Sequence, residues 1–532
     1  MSFSQRFRAL LWTLPFWPAA WAAVFYRVFD DDEFQHAHMA WQIWNGNIPY
    51  LDFFEHHLPL YHYLIAPLFI FGSHAWMIFA LRGLSLAMLI VTLWLCGRLA
   101  VRLGASRDAA IAAVALCLFA PVFTFKALEV RPGALGVMLF VIALNMIFEA
   151  EEKPGTKRML LAGFIAGAMT LASQKFGLCA VGCVAAAAIL YGVRPAIWVA
   201  LGGALSAAMF VLTMMEQGAW DGCWMYVMEM NLHWKHRFSP AGYLTELFLS
   251  SGMLLALGAI GVLRRYWDPA WNSESARRQW ALLTLLLCQG LSVLVAPEPY
   301  RQLYMPLFPL LTIGAAWAFD GLGACLTDAR TRRAALIALT VLAALPGSRR
   351  TIDEFSTPNA PDLARMRLIE RLSPAGSPVF DGRGLMFYRP HVGFYGCMHA
   401  GIQAMLDPTE QSANVIGALR RRKLPPVILD YRVEQMPPEI PAFIAEHYLA
   451  LPEDPQVRMP GFTLDRARLS GRRGGKFNVE FAGSYLVRWD GDSLVIDGEA
   501  VENGKVLQLN AGEHRIQARG FVENLVFTRA GG

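Results

Sequence analysis

Long apolar stretches separated by short polar segments fill the chain from its beginning to about Pro346. A membrane-spanning helix needs about 20 mostly apolar residues, and we identify eleven stretches of this kind, which begin near residues 9, 76, 109, 132, 159, 177, 196, 245, 279, 302 and 334. The pattern therefore predicts a polytopic α-helical membrane domain over residues 1–346, with about eleven transmembrane helices. The last stretch, Arg333 to Pro346, is short for a span.

The loops between these stretches alternate in their content of lysine and arginine. Basic residues concentrate in every second loop, at residues 6–8, 98–107, 153–158, 194, 264–278 and 330–333. Cytoplasmic loops carry the excess of such residues, so the remaining loops are predicted to lie outside. The segment Leu58–Gly72 is apolar but short and contains two prolines. We predict that it forms a helix along the outer interface rather than a span.

Beyond Pro346 the apolar stretches end, and more than half of the 42 acidic residues follow. Residues 347–473 alternate strand-like and helical segments, which predicts a small α/β domain. Residues 474–532 contain short alternating segments separated by turns and predict a β-sandwich. Trp489 and Tyr485 in that sandwich are either core residues or rings that stack on a glycan. Both C-terminal regions are predicted on the outer side.

Composition agrees with a membrane protein. Of 532 residues, 55% are hydrophobic and 17% are charged, whereas soluble domains carry about 25% charged residues. The net charge of +5 gives no concentrated basic surface, so nucleic acid is not expected as a partner. Eight cysteines show no Cys-x-x-Cys pair, which favours buried thiols over disulfides or metal ligands.

Polar residues of the membrane domain concentrate in the predicted outer loops. The first outer loop opens with four consecutive acids, Asp30, Asp31, Asp32 and Glu33. These acids have two interpretations. In the first, they begin the following helix, where carboxylates are favoured. In the second, one of them is a general base at the membrane surface, where partial desolvation and neighbouring negative charges raise the pKa of a carboxylate.

This loop resembles the first outer loop of the GT-C superfamily, specifically the polyprenyl-phosphate-sugar glycosyltransferases that include protein O-mannosyltransferases and the aminoarabinose transferase of lipid A. That group has an Asp-Glu pair after the first span, then a helix and the pattern G-x-x-P-Y-x-D-F-x-E. The matching residues here are, in order, Asp32, Glu33, Gly46, Pro49, Tyr50, Asp52, Phe53, Glu55 and Pro59. His56 stands where the aminoarabinose transferases have a lysine.

Three shorter segments extend the resemblance over about residues 1–345. Lys126 to Pro132 is similar to the second outer loop of the group, although Gly133 replaces its acid. Lys175 matches the lysine of an L-T-K-G motif, and Arg301 to Pro309 resembles R-Y-x-x-P-x-x-P. The distribution of basic residues independently places all of these segments outside.

The resemblance implies transfer of a sugar from a polyprenyl-phosphate donor to an extracytoplasmic acceptor. Asp32 would take the proton from the acceptor hydroxyl, and Glu33 would support it or hold the acceptor. One base suffices if the reaction inverts the configuration of the anomeric carbon, whereas a reaction that retains this configuration would need a second carboxylate as nucleophile. The predicted ligands of the donor phosphate are Lys175, Arg301, Arg131 and His56. The other predicted substrate-binding residues are Asp31, which could replace Asp32 as the base, and Asp52, Glu55 and Tyr304.

Five histidines of the first loop invite comparison with metal sites: His36, His38, His56, His57 and His62. They show no H-E-x-x-H or similar spacing, so we expect no metal site and assign no cofactor, leaving a divalent ion as the alternative. Expected partners are the lipid-linked sugar, membrane lipids and a glycan, lipid or protein acceptor, at a bacterial inner membrane. The competing functions are a membrane transporter or lipid flippase, and a noncatalytic envelope receptor.

Overall fold

The computed structural model describes residues 16–148, 154–234, 240–266, 273–296, 300–326, 328–396, 399–464 and 474–530. The chain divides into two compact units. The helical unit comprises Met1–Leu51 and Glu55–Ala360, and the C-terminal unit comprises Asp52–Phe54 and Pro361–Gly532. The start of the first predicted span and Cys397 lie outside the described residues. The described cysteines carry free thiols, and five of them are buried, as the sequence predicts.

The helical unit is built from helices joined by short connections. Its described helices are α1 (Phe16–Phe25), α2 (Asp31–Trp44), α3 (Leu60–Ile65), α4 (Met77–Arg102), α5 (Arg107–Leu118), α6 (Pro121–Leu128), α7 (Pro132–Phe148), α8 (Thr156–Ala172), α9 (Gly177–Tyr191), α10 (Val193–Glu216), α11 (Trp220–Cys223), α12 (Met230–Leu232), α13 (Pro240–Tyr266), α14 (Ser273–Val295), α15 (Leu307–Ala324) and α16 (Ala329–Ser356). Turns of 3-10 helix occupy Ala66–Phe71, Gln174–Phe176 and Arg301–Tyr304, and a π-helical turn occupies Trp224–Glu229.

Each of the eleven predicted spans overlaps a helix in the part of the chain that the structure describes. Within the described residues, seven helices are long and apolar enough to cross a membrane, namely α4, α9 with its preceding turn, α10, α13, α14, α15 and α16. The pair α5 and α6 adds an eighth if its 72° bend lies within one span. The polytopic helical fold is therefore confirmed, whereas the count of eleven is not. The segment predicted along the interface forms the short apolar stretch Leu60–Phe71.

The last predicted span, Arg333 to Pro346, lies within a longer helix. Helix α16 has 28 residues and continues through this proline to Ser356. A proline inside a helix removes one backbone hydrogen bond, but an ion pair between Arg350 and Glu354 at 2.8 Å supports the turn that follows. The predicted domain boundary after Pro346 consequently lies inside a helix.

Helices α8 and α10 cross with their backbones almost touching. A Cβ atom on Gly163 would lie 1.9 Å from the carbonyl oxygen of Val199, and one on Gly202 would lie 2.0 Å from that of Leu160. Small residues permit this close approach, which membrane helices use because lipid supplies no hydrophobic force between them.

The C-terminal unit combines helices with a nine-stranded sheet in its described residues. The helices are α17 (Ala360–Leu372), α18 (Ala400–Gln403), α19 (Pro408–Arg421), α20 (Tyr431–Glu434) and α21 (Glu439–His447). The strands are β1 (Phe380–Asp381), β2 (Val427–Ile428), β3 (Tyr448–Ala450), β4 (Val457–Leu464), β5 (Gly475–Val479), β6 (Gly483–Ile496), β7 (Glu499–Val501), β8 (Val506–Leu509) and β9 (Gly512–Arg529). The central order is β1-β2-β4-β9-β6-β7, with β3 on β4, β5 on β9 and β8 on β6. Only β1 and β2 pair in parallel among these strands.

Strand β4 connects the two predicted C-terminal regions, because it pairs with β2 at one end and with β9 at the other. Strands β6 and β9 are long, and each runs through two of the short alternating segments into which the sequence pattern divides residues 474–532. Register shifts around Asp490 interrupt their pairing, and such irregularities bend strands, so both halves contribute to one core. Trp489 and Tyr485 belong to that core, each 5% exposed, which favours the core interpretation of their rings over glycan stacking.

The crossing of α8 and α10 predicts opposite effects for two adjacent glycines. Gly202→Ala should lower stability by about 1–3 kcal/mol because the added methyl group overlaps a backbone carbonyl. Gly203→Ala is the matched control, since its Cβ would lie 3.6 Å from the nearest atom and alanine is the better helix former. Thermal unfolding of the two purified variants in detergent measures the difference. Equal melting temperatures would contradict the observed helix crossing.

Candidate active site

Helix α2 begins inside the acidic run of the first loop. Asp30 is its N-cap, and the Asp30 carboxylate accepts a hydrogen bond from the backbone N–H of Asp32 at 3.1 Å. The Glu33 carboxylate in turn accepts the backbone N–H of Asp30 at 3.0 Å. This reciprocal arrangement is a capping box. The helix-start interpretation of the acids therefore accounts for Asp30 and for part of the role of Glu33.

Glu33 is completely buried and is held by Arg82 of α4. The guanidinium donates to both carboxylate oxygens, from Nε at 2.8 Å and from Nη2 at 2.6 Å, and the backbone N–H of Val130 donates at 3.1 Å. The other Arg82 hydrogen bonds go to the carbonyl oxygens of Ala23, Val24, Arg27 and Val28. Burial opposes the charge of Glu33, but Arg82 holds the pKa of this carboxyl below its ordinary value. Such a fully engaged carboxylate is suited to positioning the loop rather than to accepting a proton.

A second group of charges surrounds Asp32. Arg131 pairs with Asp30 and lies 2.7 Å from the Asp32 carboxylate through Nη1. Lys126 Nζ lies 3.0 Å from Asp30 and 2.8 Å from Glu129. The side chains of Asp30 and Asp32 remain 30% exposed, whereas that of Glu129 is 1% exposed. Asp30 and Asp32 are therefore the more accessible members of a charge cluster whose other members, Arg131, Lys126 and Glu129, are largely buried.

Asp30 lies beside two cations, Arg131 and Lys126. Burial raises the pKa of Asp30, but the charges of Arg131 and Lys126 outweigh it and hold the pKa well below its ordinary value. Because Asp30 also caps α2, its carboxylate is committed to structure. This leaves Asp32 as the better placed of the two carboxylates for contact with a substrate.

Glu55 organises a group of histidines in the same loop. One of its oxygens, Oε1, accepts the backbone N–H groups of His56 and His57 at 2.8 and 2.9 Å and lies 2.7 Å from His57 Nδ1. Nearby, His36 Nδ1 lies 2.9 Å from His62 Nε2. Burial lowers the pKa of His57 to about 3 and that of His62 to about 4. These rings are consequently neutral at pH 7.

His56 replaces the lysine of the aminoarabinose transferases, and burial lowers its pKa well below the ordinary value. A neutral imidazole donates a hydrogen bond but supplies no positive charge. The predicted contact of His56 with the donor phosphate is thereby limited to hydrogen bonding, and the compensating charge must come from other residues.

Lys175 lies in the 3-10 turn that precedes α9, beside the first loop. The neighbouring Gln174 donates from Nε2 to the carbonyl oxygen of His56 at 3.2 Å, and Asn231 donates to the same oxygen at 3.2 Å. After burial, the largest influences on the pKa of His57 are the charges of Lys175, Asp32 and Arg131. The structure thus brings three of the predicted charged residues around one histidine pair.

The remaining predicted site residues are Arg301, Tyr304, Asp52 and Asp31. Arg301 forms its ion pair with Glu246 of α13 at 2.6 Å. Further pairs through Arg350, Glu354, Arg27 and Glu129 connect it to Arg131. Tyr304 is 1% exposed in the helical core. Asp52 is exposed and belongs to the C-terminal unit, and Asp31 is half-buried in the first turn of α2.

Sequence reasoning missed Arg82, whose side chain holds Glu33. It is the sixth residue of α4, and the rest of the first half of that helix carries no charge. An ionisable residue within a predicted span is by itself a signal of structural or functional importance, and that signal identifies Arg82 without any motif. Arg27 and Lys126 were not assigned as site residues either, because no pattern in the chain indicates that they share Glu129 as a partner.

Comparison with solved structures identifies the fold. The chain is similar to ArnT from Cupriavidus metallidurans in the apo state, with a TM-score of 0.60 and 12% identity over 84% of this chain and 96% of that one. For the same protein bound to undecaprenyl phosphate, the TM-score is 0.58 and the identity is 13%, over 84% of this chain and 97% of that one. For the apo oligosaccharyltransferase of Archaeoglobus fulgidus, the TM-score is 0.50 and the identity is 13%, over 80% of this chain and 68% of that one. No protein-family model and no curated protein sequence matches the chain.

ArnT and the oligosaccharyltransferase both have the GT-C architecture. The GT-C-like fold that the first-loop resemblance implies is therefore confirmed over most of the chain. At these identities the likeness concerns the fold, and the roles of individual residues stay predictions.

Because Arg82 binds both carboxylate oxygens of Glu33, we expect removal of this arginine to lower the stability of the protein strongly. Arg82→Ala would leave a buried carboxylate without its cation, which costs about 3–5 kcal/mol. The control is Arg98→Ala on the same helix, where an exposed guanidinium lies 5.8 Å from the Trp94 ring centroid and contributes about 0.5–1 kcal/mol. Apparent melting temperature and the yield of monodisperse protein distinguish the two variants. Equal behaviour would show that the Glu33 pair is not a structural requirement.

Proposed function

We propose that this chain is an integral-membrane glycosyltransferase that moves a sugar from a polyprenyl-phosphate donor to an extracytoplasmic acceptor at a bacterial inner membrane. The observation that carries the proposal is the Asp32 carboxylate, partly exposed and 2.7 Å from Arg131, with Lys175 on the turn that contacts His56. The shared fold with a structure bound to undecaprenyl phosphate supports the lipid class of the donor.

The residues fit a single displacement at the anomeric carbon. The acceptor hydroxyl oxygen attacks this carbon as the bond to the phosphate oxygen breaks, and the electron pair of that bond leaves with the phosphate. Asp32 accepts the hydroxyl proton, while Arg131 fixes the orientation of the Asp32 carboxylate. Because one displacement exchanges the two faces of the carbon, the product has inverted configuration.

The leaving phosphate gains negative charge as the bond breaks, so the reaction needs fixed cations that are stronger partners in the transition state than in the ground state. Burial lowers the pKa of His56, so its ring supplies no positive charge. Lys175 therefore compensates the negative charge of the leaving phosphate, with Arg131 as the second cation. Glu33 acts through Arg82 as a positioning residue for the turn that carries Asp32. Arg301 acts at a distance, through the chain of ion pairs described above.

The role of Asp32 predicts loss of transfer without loss of folding. Asp32→Asn should reduce sugar transfer by at least about 100-fold, because the acceptor loses its base. Transfer is measured with a panel of radiolabelled polyprenyl-phosphate sugars and membrane extract as acceptor. Asp353→Asn, which changes an exposed carboxylate of α16, should keep wild-type activity.

The variant Asp31→Asn tests whether Asp31 or Asp32 is the base. Transfer that survives in Asp32→Asn but disappears in Asp31→Asn would move the base by one residue. Transfer that survives in both variants would remove the general base from this loop.

The phosphate role of Lys175 predicts a charge-dependent effect. Lys175→Ala should lower kcat/KM for the donor by about 10- to 100-fold, since a charge-assisted contact to phosphate is lost. Lys175→Arg keeps the charge and should recover part of that loss. The KM for the donor and the kcat are measured separately for each variant. Equal activity of both variants and wild type would place the phosphate elsewhere.

A further inference from the structure

Three segments of the first loop bring metal-ligating side chains together. His36 lies on α2, Glu55 on the connection that follows, and His62 on α3. Their ligand atoms all lie within 4.8 Å of one another. His36 Nδ1 is 2.9 Å from His62 Nε2, and that nitrogen is 3.9 Å from Glu55 Oε2. All three residues are at least 98% buried.

The Glu55 carboxylate is used on one side only. Its Oε1 receives the two backbone N–H groups and the His57 ring described above. Its Oε2 is buried and, among the described residues, receives no hydrogen bond. The recorded ion-pair partners of Glu55 are all histidines, so no lysine or arginine of the described chain compensates it directly. A buried carboxylate oxygen without a donor is costly.

The donor set fits a transition-metal cation. Two imidazole nitrogens and one carboxylate oxygen, with a fourth position left to water or substrate, are a common catalytic zinc arrangement. Zinc bonds of about 2.0–2.1 Å place tetrahedral donors roughly 3.3 Å apart. The observed separations of 2.9 and 3.9 Å lie on either side of that value. The third separation, between a ligand atom of His36 and one of Glu55, is at most 4.8 Å.

The surroundings of the three side chains favour a ligand role as well. His57 contacts the Glu55 carboxylate through Oε1 and not through Oε2. A hydrogen bond to a ligating group from a neighbouring residue is a regular feature of protein metal sites.

We propose that His36, Glu55 and His62 bind a transition-metal cation of the Zn²⁺ kind through Nδ1, Oε2 and Nε2, respectively. The ion would join α2, the following connection and α3. His36 follows Asp32 by four residues on one helix, so their side chains are neighbours on its surface. The ion would therefore add positive charge one helical turn from the proposed base. The proposal goes beyond glycosyl transfer, because binding of the ion is measured without donor or acceptor.

The test uses the full chain, purified in detergent with an affinity tag that contains no histidine. The protein is stripped with a chelator and dialysed against micromolar Zn²⁺, and bound zinc is measured by elemental analysis. Wild type should retain about one zinc per chain, and Co²⁺ in its place should give the visible absorption of a tetrahedral site. His36→Asn and His62→Gln should each weaken binding by at least about 10-fold. His74→Ala, which changes an exposed histidine outside the cluster, should bind as wild type does.

Glu55→Gln provides a second variant of unchanged size in case a histidine variant does not fold. It should also lose zinc while it elutes as a single species on size exclusion. Folded wild type that retains no zinc, or cluster variants that retain as much as wild type, would overturn the proposal. Zinc content and sugar transfer are separate readouts, so Asp32→Asn should lose transfer and keep its zinc. Failure of one proposal is thereby distinguished from failure of the other.

Discussion

The buried ion pair between Glu33 and Arg82 is the interaction on which the geometry of the first loop depends. Two charges removed from water repay their desolvation only when every donor and acceptor is satisfied. Here the guanidinium binds both oxygens of Glu33 and also the carbonyl oxygens at the end of α1 and just beyond it. The N–H of Val130 adds a contact from the connection before α7. One side chain of α4 therefore fixes the end of α1, the start of α2 and the loop that carries Arg131. The position of Asp32, directly before Glu33, follows from this constraint.

Neighbouring carboxylates in this loop have different chemistry because their environments differ, which is the general basis on which sites separate acids from bases. Glu33 is buried against one cation, and Asp30 caps a helix between two cations. Asp32 is partly exposed and lies 2.7 Å from Arg131. The acidic run that looks uniform in sequence therefore includes two carboxylates that hold the start of α2, Asp30 and Glu33. The general base that we propose is a different residue of the run, so the capping and the general-base interpretations are compatible.

The membrane domain could be predicted from sequence because hydropathy and basic residues report directly on span position. The exact count could not, because α5 and α6 break at a 72° bend and α7 and α8 have only 17 residues. The continuation of α16 to Ser356 could not be predicted from hydropathy, because the residues after Pro346 are mostly polar. In the site, Asp32, Arg131 and Lys175 were accessible to motif reasoning. The grouping of His36, Glu55 and His62 was not, because it depends on how the chain folds back over 26 residues and has no regular spacing.

The replacement of a family lysine by His56 connects the two proposals electrostatically. In the proposed reaction a donor phosphate approaches the first loop near Glu55, a buried carboxylate whose ion-pair partners are histidines. A lysine at position 56 would place a fixed positive charge beside Glu55, which an imidazole does not. Like charges in a poorly solvated site repel strongly, so the anionic donor requires compensation from another source. Lys175 and Arg131 supply part of it, but Arg131 is already paired with Asp30, Asp32 and Glu129. A divalent cation at the oxygen of Glu55 that receives no hydrogen bond would compensate this carboxylate directly.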